Sequence, residues 1–225
     1  MANEQHLRIV QSGDLAWDKW RSEYPEIQPD LSNADLFGLE LNRCNFYRAN
    51  MQKIMMGACA LTYTNFSEAD LSNATFTETL FIKADLSHAI LYHADLVGAD
   101  FSEAHLNEAN LQGVLATSAI FNHAHMEGAN LKEADLRLVT CNYADLSQAN
   151  LTNTKLGSAE FIGTNLRGAN CSNANLQCAS LRNAILVGAD LKGADLRNAI
   201  LVGADLKGAD LRNAILAGAD LRNAK

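Results

Sequence analysis

Proline and long hydrophobic runs are almost absent from this chain. Its 225 residues include two prolines, Pro25 and Pro29, two tryptophans and 7% aromatic residues. Because there is no run of 18 apolar residues, no segment is long enough to span a membrane as a helix. The N-terminus also lacks a basic segment followed by a long apolar stretch, which argues against a secretory signal. We therefore expect a cytoplasmic protein without a membrane partner.

A period of five residues dominates the rest of the sequence. Every fifth residue over Leu31–Leu221 falls in one unbroken frame, and 36 of these 39 positions are Leu, Phe or Met. The exceptions are also apolar: Ala116, Cys141 and Cys171. This period fits neither an α-helix nor a flat strand. Self-similarity at a fixed short period is instead typical of a solenoid.

The pattern within each repeat predicts which side chains point inward. A small residue, usually Ala, precedes the large apolar residue by two positions, and Asp or Asn usually lies between them, as in Ala69-Asp70-Leu71. We predict that the large and small residues point into the solenoid and that the other three point outward. Replacing inward Phe121 with Ala should therefore be far more costly than replacing outward Asn122.

The motif A(D/N)LXX resembles the pentapeptide-repeat family over roughly 195 residues. The resemblance implies an all-β solenoid, a right-handed quadrilateral β-helix with four pentapeptides, or 20 residues, in each coil. Residues 30–225 would then form about ten coils, and at a spacing of ~4.8 Å per coil the rod would be roughly 47 Å long. Residues 1–29 precede the repeats.

Residues 3–24 have the apolar spacing of an α-helix in two blocks, separated near Ser12-Gly13-Asp14. Asp14 is a residue type that caps helices, so we expect it to be the N-cap of the second block. An open coil exposes unpaired backbone groups and an apolar axis. We therefore interpret residues 1–29 as an N-terminal helical cap, with Trp17 and Trp20 over the first coil. A partner-binding helix is the alternative.

The five cysteines match neither a disulfide framework nor a zinc motif. Four of them occupy inward positions and should be buried thiols: Cys44, Cys59, Cys141 and Cys171. Cys178 falls at an outward position, and we expect it to react with thiol reagents.

The net charge of −8 is unevenly distributed. Residues 60–136 contain 11 Asp or Glu and two Lys, a local net charge of −9, whereas residues 181–225 contain seven Lys or Arg and five Asp, a net charge of +2. This acidic middle argues against direct nucleic-acid binding. We predict a partner-binding acidic face there, formed by Asp85, Asp95, Asp100, Glu103 and Glu108; the alternative is that these carboxylates are simply solvated.

Histidine offers one further candidate site. His105 and His125 are 20 residues apart and should stack, with His123 beside them. Three imidazoles in one patch suggest a metal site, but all lie at outward positions without a thiolate, which favours a surface ladder. We expect no resident metal.

No nucleophile and base pair, phosphate-binding loop or buried carboxylate pair is visible in the sequence. We therefore expect no catalytic residue and no cofactor. The favoured hypothesis is a non-enzymatic scaffold that binds an unidentified protein partner. The alternative is a DNA mimic that binds a type II topoisomerase such as gyrase. The repeats continue to Lys225, so we expect the last coil either to fray or to stack against another molecule, with a homodimer as one such contact.

Overall fold

The computed structural model covers residues 2–225 and consists of two short helices followed by a solenoid. Helix α1 spans Glu4–Gln11 and helix α2 spans Asp14–Glu23. From Asp30 onward, each pentapeptide contributes one residue to a parallel bridge with the residue 20 positions later, ending with Ile200 and Asp220. None of the helices within residues 2–225 is long and apolar enough to cross a membrane.

The 20-residue spacing of the bridges gives each coil four sides. Each side is a single bridged residue rather than a longer strand, because a tight turn follows it. In the first turn the Ala34 amide donates to the Leu31 carbonyl at 3.1 Å. Asn33 has a φ of 61°, and the equivalent residue of every later repeat also has a positive φ. A positive φ at the third turn residue is the requirement of a type II turn.

Backbone hydrogen bonds join each coil to the next. The Leu31 amide donates to the Asn50 carbonyl at 2.8 Å, and the Asn33 amide donates to the Gln52 carbonyl at 2.8 Å. In the reverse direction, the Asn50 amide donates to the Pro29 carbonyl at 2.8 Å. The pattern recurs along the rod, so buried backbone groups between coils have partners.

The interior confirms the predicted inward positions. The large apolar residues and the preceding small residues are buried along the rod as far as Ala204. Phe81 stacks on Phe101 with ring centroids 4.6 Å apart, and Phe101 stacks on Phe121 at 5.0 Å. Burying an aromatic or leucine side chain contributes roughly 1.5–3 kcal/mol, so this axial column is a main source of stability.

The two helices complete the open edge of the first coil. The Asn3 amide donates to the Asp30 carbonyl at 3.0 Å, while the Asp30 amide donates to Nδ1 of His6 at 3.0 Å. On another side, Trp17 Nε1 donates to the Asn45 carbonyl at 2.9 Å. The Asn45 amide donates to the Asp18 carboxylate at 3.0 Å. The cap thus supplies the hydrogen bonds that a preceding coil would make on two of the four sides, those of Asp30 and Asn45.

The helix starts differ from the sequence prediction in one respect. The residue before α2 is Gly13, with a φ of 103°, and it makes no side-chain capping bond. Asp14 is instead the first residue of the helix, so its assignment as a cap was wrong. Its carboxylate accepts from the Leu15 amide at 2.8 Å and still interacts favourably with the positive end of the helix dipole.

Trp17 packs on Phe46 of the first coil, with centroids 5.0 Å apart.

Outward asparagines make specific contacts between coils. Asn130 donates to the Asn110 side chain at 3.1 Å, and Asn150 donates to Asn130 at 3.2 Å, forming a ladder. The side chain of Asn122 accepts from the Asn142 amide at 2.9 Å. Asn122 is therefore part of the coil-to-coil hydrogen bonding and not a merely solvated residue, as its outward position suggested.

Candidate interaction surfaces

The predicted acidic face is not a single face. Asp85, Asp95 and Asp100 belong to three different bridge columns, because residues five apart occupy successive sides of a coil. Glu103 lies in the turn that follows Asp100, and Glu108 lies in the turn that follows His105, each with a positive φ. The five carboxylates therefore surround the rod.

The five carboxylates also differ in their contacts. Glu103 forms an ion pair with Lys83 at 3.3 Å, and Glu108 lies 3.4 Å from Nδ1 of His88. Asp95 accepts from the Val97 amide at 3.1 Å, and Asp100 accepts from the Ser102 amide at 2.8 Å and from the Ser102 hydroxyl at 2.5 Å. Asp95 and Asp100 flank one turn, so they form the part of the predicted set that is both adjacent and without a cationic partner within residues 2–225.

The histidines form the predicted surface ladder. His105 stacks on His125 with centroids 4.8 Å apart, and His123 stacks on Tyr143 at 5.4 Å. They line a shallow depression of about 660 Å³ that also includes Tyr63 and Lys83. Within residues 2–225, no group of three His, Cys, Asp or Glu side chains is arranged to hold a metal.

The basic residues near the C-terminal end are largely neutralised by their own neighbours. Arg197, Arg212 and Arg222 each contact the aspartate two positions earlier, at 2.6–2.7 Å. The hydrogen bond from Arg197 lowers the pKa of Asp195 to about 2. These pairs leave little free positive charge in a segment whose net charge is +2.

The cysteines lie where the repeat pattern predicts. Cys44, Cys59, Cys141 and Cys171 are buried, and Cys178 is exposed. Burial raises the pKa of Cys44 and of Cys171 to about 12, so both remain protonated thiols at neutral pH. The reactivity of Cys178 stays a prediction.

Exposed apolar side chains lie along one corner of the rod in two groups, separated by the fourth coil, where Asp95 and Asp100 occupy the bridge positions. We name this set the apolar ridge; its five members, each 43–68% exposed, are Phe37, Met55, Leu80, Leu115 and Leu138. Met55 and Leu115 belong to one bridge column and Leu80 to the next column. Phe37 and Leu138 lie in the turns between these two sides. Each ridge residue belongs to a different coil, so the ridge covers much of the first six coils.

Small residues occupy the turns between the exposed apolar side chains. The Phe37 ring lies so close over Gly57 that a Cβ added there would meet the ring at 3.0 Å. Hydrogen bonds between successive turns, such as that from the Ala58 amide to the Thr77 carbonyl at 2.9 Å, hold this corner in register. The backbone that presents the ridge side chains is therefore held in place by the rod itself.

Sequence reasoning missed the ridge because it examined the wrong repeat position. At the first turn position of the repeat, Phe37 and Tyr92 are exposed, whereas four other apolar residues there are half-buried: Tyr47, Ile82, Val97 and Ile162. The informative position is the one usually occupied by Asp or Asn, which always points outward. An apolar residue at this position, as at Met55, Leu80 and Leu115, predicts an exposed apolar side chain and can be found in the sequence alone.

The comparisons with known proteins agree with this geometry. The family model for pentapeptide repeats matches in eight copies between residues 59 and 225. The crystal structure of HetL from the cyanobacterium Nostoc sp. strain PCC 7120 is 33% identical over 100% of this chain and 96% of HetL, with a TM-score of 0.90. This chain belongs to the pentapeptide-repeat family. Family membership implies the right-handed winding expected from the repeat motif.

Other pentapeptide-repeat structures match over smaller parts or with lower similarity. A thylakoid-lumen protein of Arabidopsis thaliana is 33% identical over 44% of this chain and 66% of its own, with a TM-score of 0.35. QnrB1, a plasmid-mediated fluoroquinolone resistance protein, is 21% identical over 85% of this chain and 93% of its own, with a TM-score of 0.37. No curated protein matches this chain. HetL is described as involved in the regulation of heterocyst differentiation.

Proposed function

We propose that this pentapeptide-repeat protein is a non-enzymatic scaffold that binds a protein partner in a regulatory role. The observation that carries the proposal is the continuous rod itself, in which each coil holds the next by hydrogen bonds and outward side chains are fixed in columns. Similarity to HetL over the whole chain supports a regulatory role. The depressions along the rod are shallow and lack the buried, convergent groups of an active site.

The test is affinity capture from the lysate of the source organism, followed by titration of the purified captured protein against the rod. A saturable complex with one partner, and no turnover of any compound by the rod, is the expected result. Capture of nothing above the background of a denatured, immobilised control would contradict the scaffold proposal.

The acidic stretch supports a second candidate, a DNA mimic that binds a type II topoisomerase. Its carboxylates lie on several sides of a rod, as phosphates surround a duplex, and they would attract a basic DNA-binding groove. The discriminating variant is Asp95→Lys/Asp100→Lys/Glu103→Lys. A mimic should inhibit gyrase supercoiling, lose that effect in the triple variant and weaken steeply with salt. No inhibition by the intact protein would eliminate this candidate.

A further inference from the structure

We propose that the apolar ridge is the docking surface for a basic amphipathic helix of a partner protein. This inference rests on the proposed scaffold function and assigns the face that carries it. Five exposed apolar side chains lie at this corner of the rod, in coils one, two, three, five and six. Exposed apolar clusters on soluble proteins mark sites of association.

The spacing of the ridge matches that of a helix. Phe37, Met55, Leu80, Leu115 and Leu138 lie in the first, second, third, fifth and sixth coils, which are ~4.8 Å apart. Apolar side chains on one face of an α-helix recur about every 5.4 Å, once per turn. A helix of about 15 residues would therefore cover the ridge, which extends over about 24 Å.

The charge beside the ridge specifies the partner's polar residues. Five carboxylates lie on the same two sides and the turn between them, in coils one, three and four: Asp35, Glu40, Glu78, Asp95 and Asp100. None of them forms an ion pair within residues 2–225, and no Lys or Arg lies at the ridge or on its two flanking sides before Arg137 in the sixth coil. The carboxylates occur as two pairs, Asp35 with Glu40 and Asp95 with Asp100, three coils or about 14 Å apart.

These charges exclude other occupants. Phosphates of a nucleic acid or an anionic membrane would be repelled by the carboxylates. A second copy of this chain is a poor match, because four of the seven basic residues in its cationic segment already form ion pairs with its own aspartates: Lys192, Arg197, Arg212 and Arg222. A foreign helix with leucine-like residues on one face and Lys or Arg beside them satisfies both the apolar and the acidic groups.

The backbone at Leu138 gives independent support. Leu138 adopts a φ of 60° and is exposed. Most equivalent turn positions hold Gly, Asn, Glu or another polar residue, and bulky apolar residues are uncommon at positive φ. Leu138 is 56% exposed, and on the ridge it extends the docking surface by one coil.

The test uses a fluorescent synthetic helix of about 15 residues, with Leu on one face and Lys on its borders, and measures its fluorescence anisotropy on addition of the full chain. The ridge variant is Leu80→Ser/Leu115→Ser. The matched control is Ile90→Ser/Ile185→Ser, which changes residues of similar exposure, 40% and 39%, at the same repeat position on other sides. We expect at least about tenfold weaker binding for the ridge variant, a loss of about 1.4 kcal/mol, and less than about twofold for the control.

Two further measurements separate the contributions of the carboxylates and of the apolar side chains to peptide binding. Asp95→Asn/Asp100→Asn preserves the fold at the ridge and should weaken binding several-fold. This variant also tests the proposal if the serine variant does not fold. A peptide with Ser in place of Leu should bind at least about tenfold more weakly than the leucine peptide. The proposal is overturned if the leucine peptide does not bind, if the ridge and control variants bind alike, or if the serine peptide binds equally.

The outcome for the scaffold function is read separately. A protein captured from lysate equally well by the intact chain and by the ridge variant would eliminate the ridge as the docking surface. It would leave the scaffold proposal intact. If the protein is captured by the intact chain but not by the ridge variant, both the scaffold function and the docking surface are supported.

Discussion

At the residue scale, the repeat position of a side chain decides its role. Inward residues such as Phe121 are buried in a column of stacked rings. Outward residues are not uniformly solvated, since Asn122 accepts a hydrogen bond from the next coil. A simple division into inward and outward positions therefore underestimates how much the asparagines stabilise the rod, because their side chains bond to backbone amides.

We predict a graded response to substitution within one repeat. Phe121→Ala should lower the free energy of unfolding by about 3–5 kcal/mol, because it opens a cavity in the axis. Asn122→Ala should cost about 1 kcal/mol, because it leaves the Asn142 amide without its partner. Exposed Glu127→Ala is the control and should change stability by less than about 0.5 kcal/mol. Chemical denaturation of the three variants measures this, and equal losses for all three would contradict the assignment.

At the element scale, the cap acts through a few directional bonds. His6 is buried, packs against Trp20 with centroids 4.7 Å apart and accepts from the Asp30 amide through Nδ1. Only a ring that is unprotonated at Nδ1 can accept this bond. Burial lowers the pKa of His6, which favours the neutral ring in the folded protein.

We predict that cap stability depends on pH through His6. Because the pKa is lower in the folded protein, the contribution is fully present above the unfolded pKa of about 6.5 and is lost as the pH falls through the folded value. His6→Gln retains an acceptor without titrating. Melting temperatures measured from pH 7.5 down to pH 5 should fall more steeply for the natural chain than for His6→Gln. Parallel pH profiles for the two proteins would show that His6 does not control the cap.

At the scale of the whole molecule, the rod is a one-dimensional stack. Bridges link each coil only to the coils before and after it, so stability is approximately a sum over coils and their interfaces. The inward leucines Leu206, Leu211, Leu216 and Leu221 of the last coil are only partly covered. A contact of this coil with a second copy stays a prediction.

We predict that deletions are tolerated only in units that preserve the columns. Removing residues 151–170, one full coil, keeps every remaining residue in its own column and should leave a folded rod with a slightly lower melting temperature. Removing residues 152–170 shifts the following residues by one position and should expose the apolar residues C-terminal to the deletion. Circular dichroism and limited proteolysis distinguish the two. A fully folded product from the second deletion would refute the strict five-residue frame.

The sequence by itself determined which residues are buried and where the solenoid begins to repeat. The five-residue frame over Leu31–Leu221 assigns inside and outside position by position, because only two of the five side chains can face a narrow axis. It also predicted the helical cap and the buried cysteines. These features depend on residues that are close in the chain.

The tertiary structure alone decided which outward residues become neighbours. Residues 20 apart stack, and residues five apart lie on different sides, so Asp85 and Asp95 separate, whereas Met55, Leu80 and Leu115 fall on two adjacent sides of the rod. The bond between His6 and Asp30 is likewise set by how the cap folds onto the first coil. The period of five does not state how many sides a coil has, and that number determines every surface of the rod.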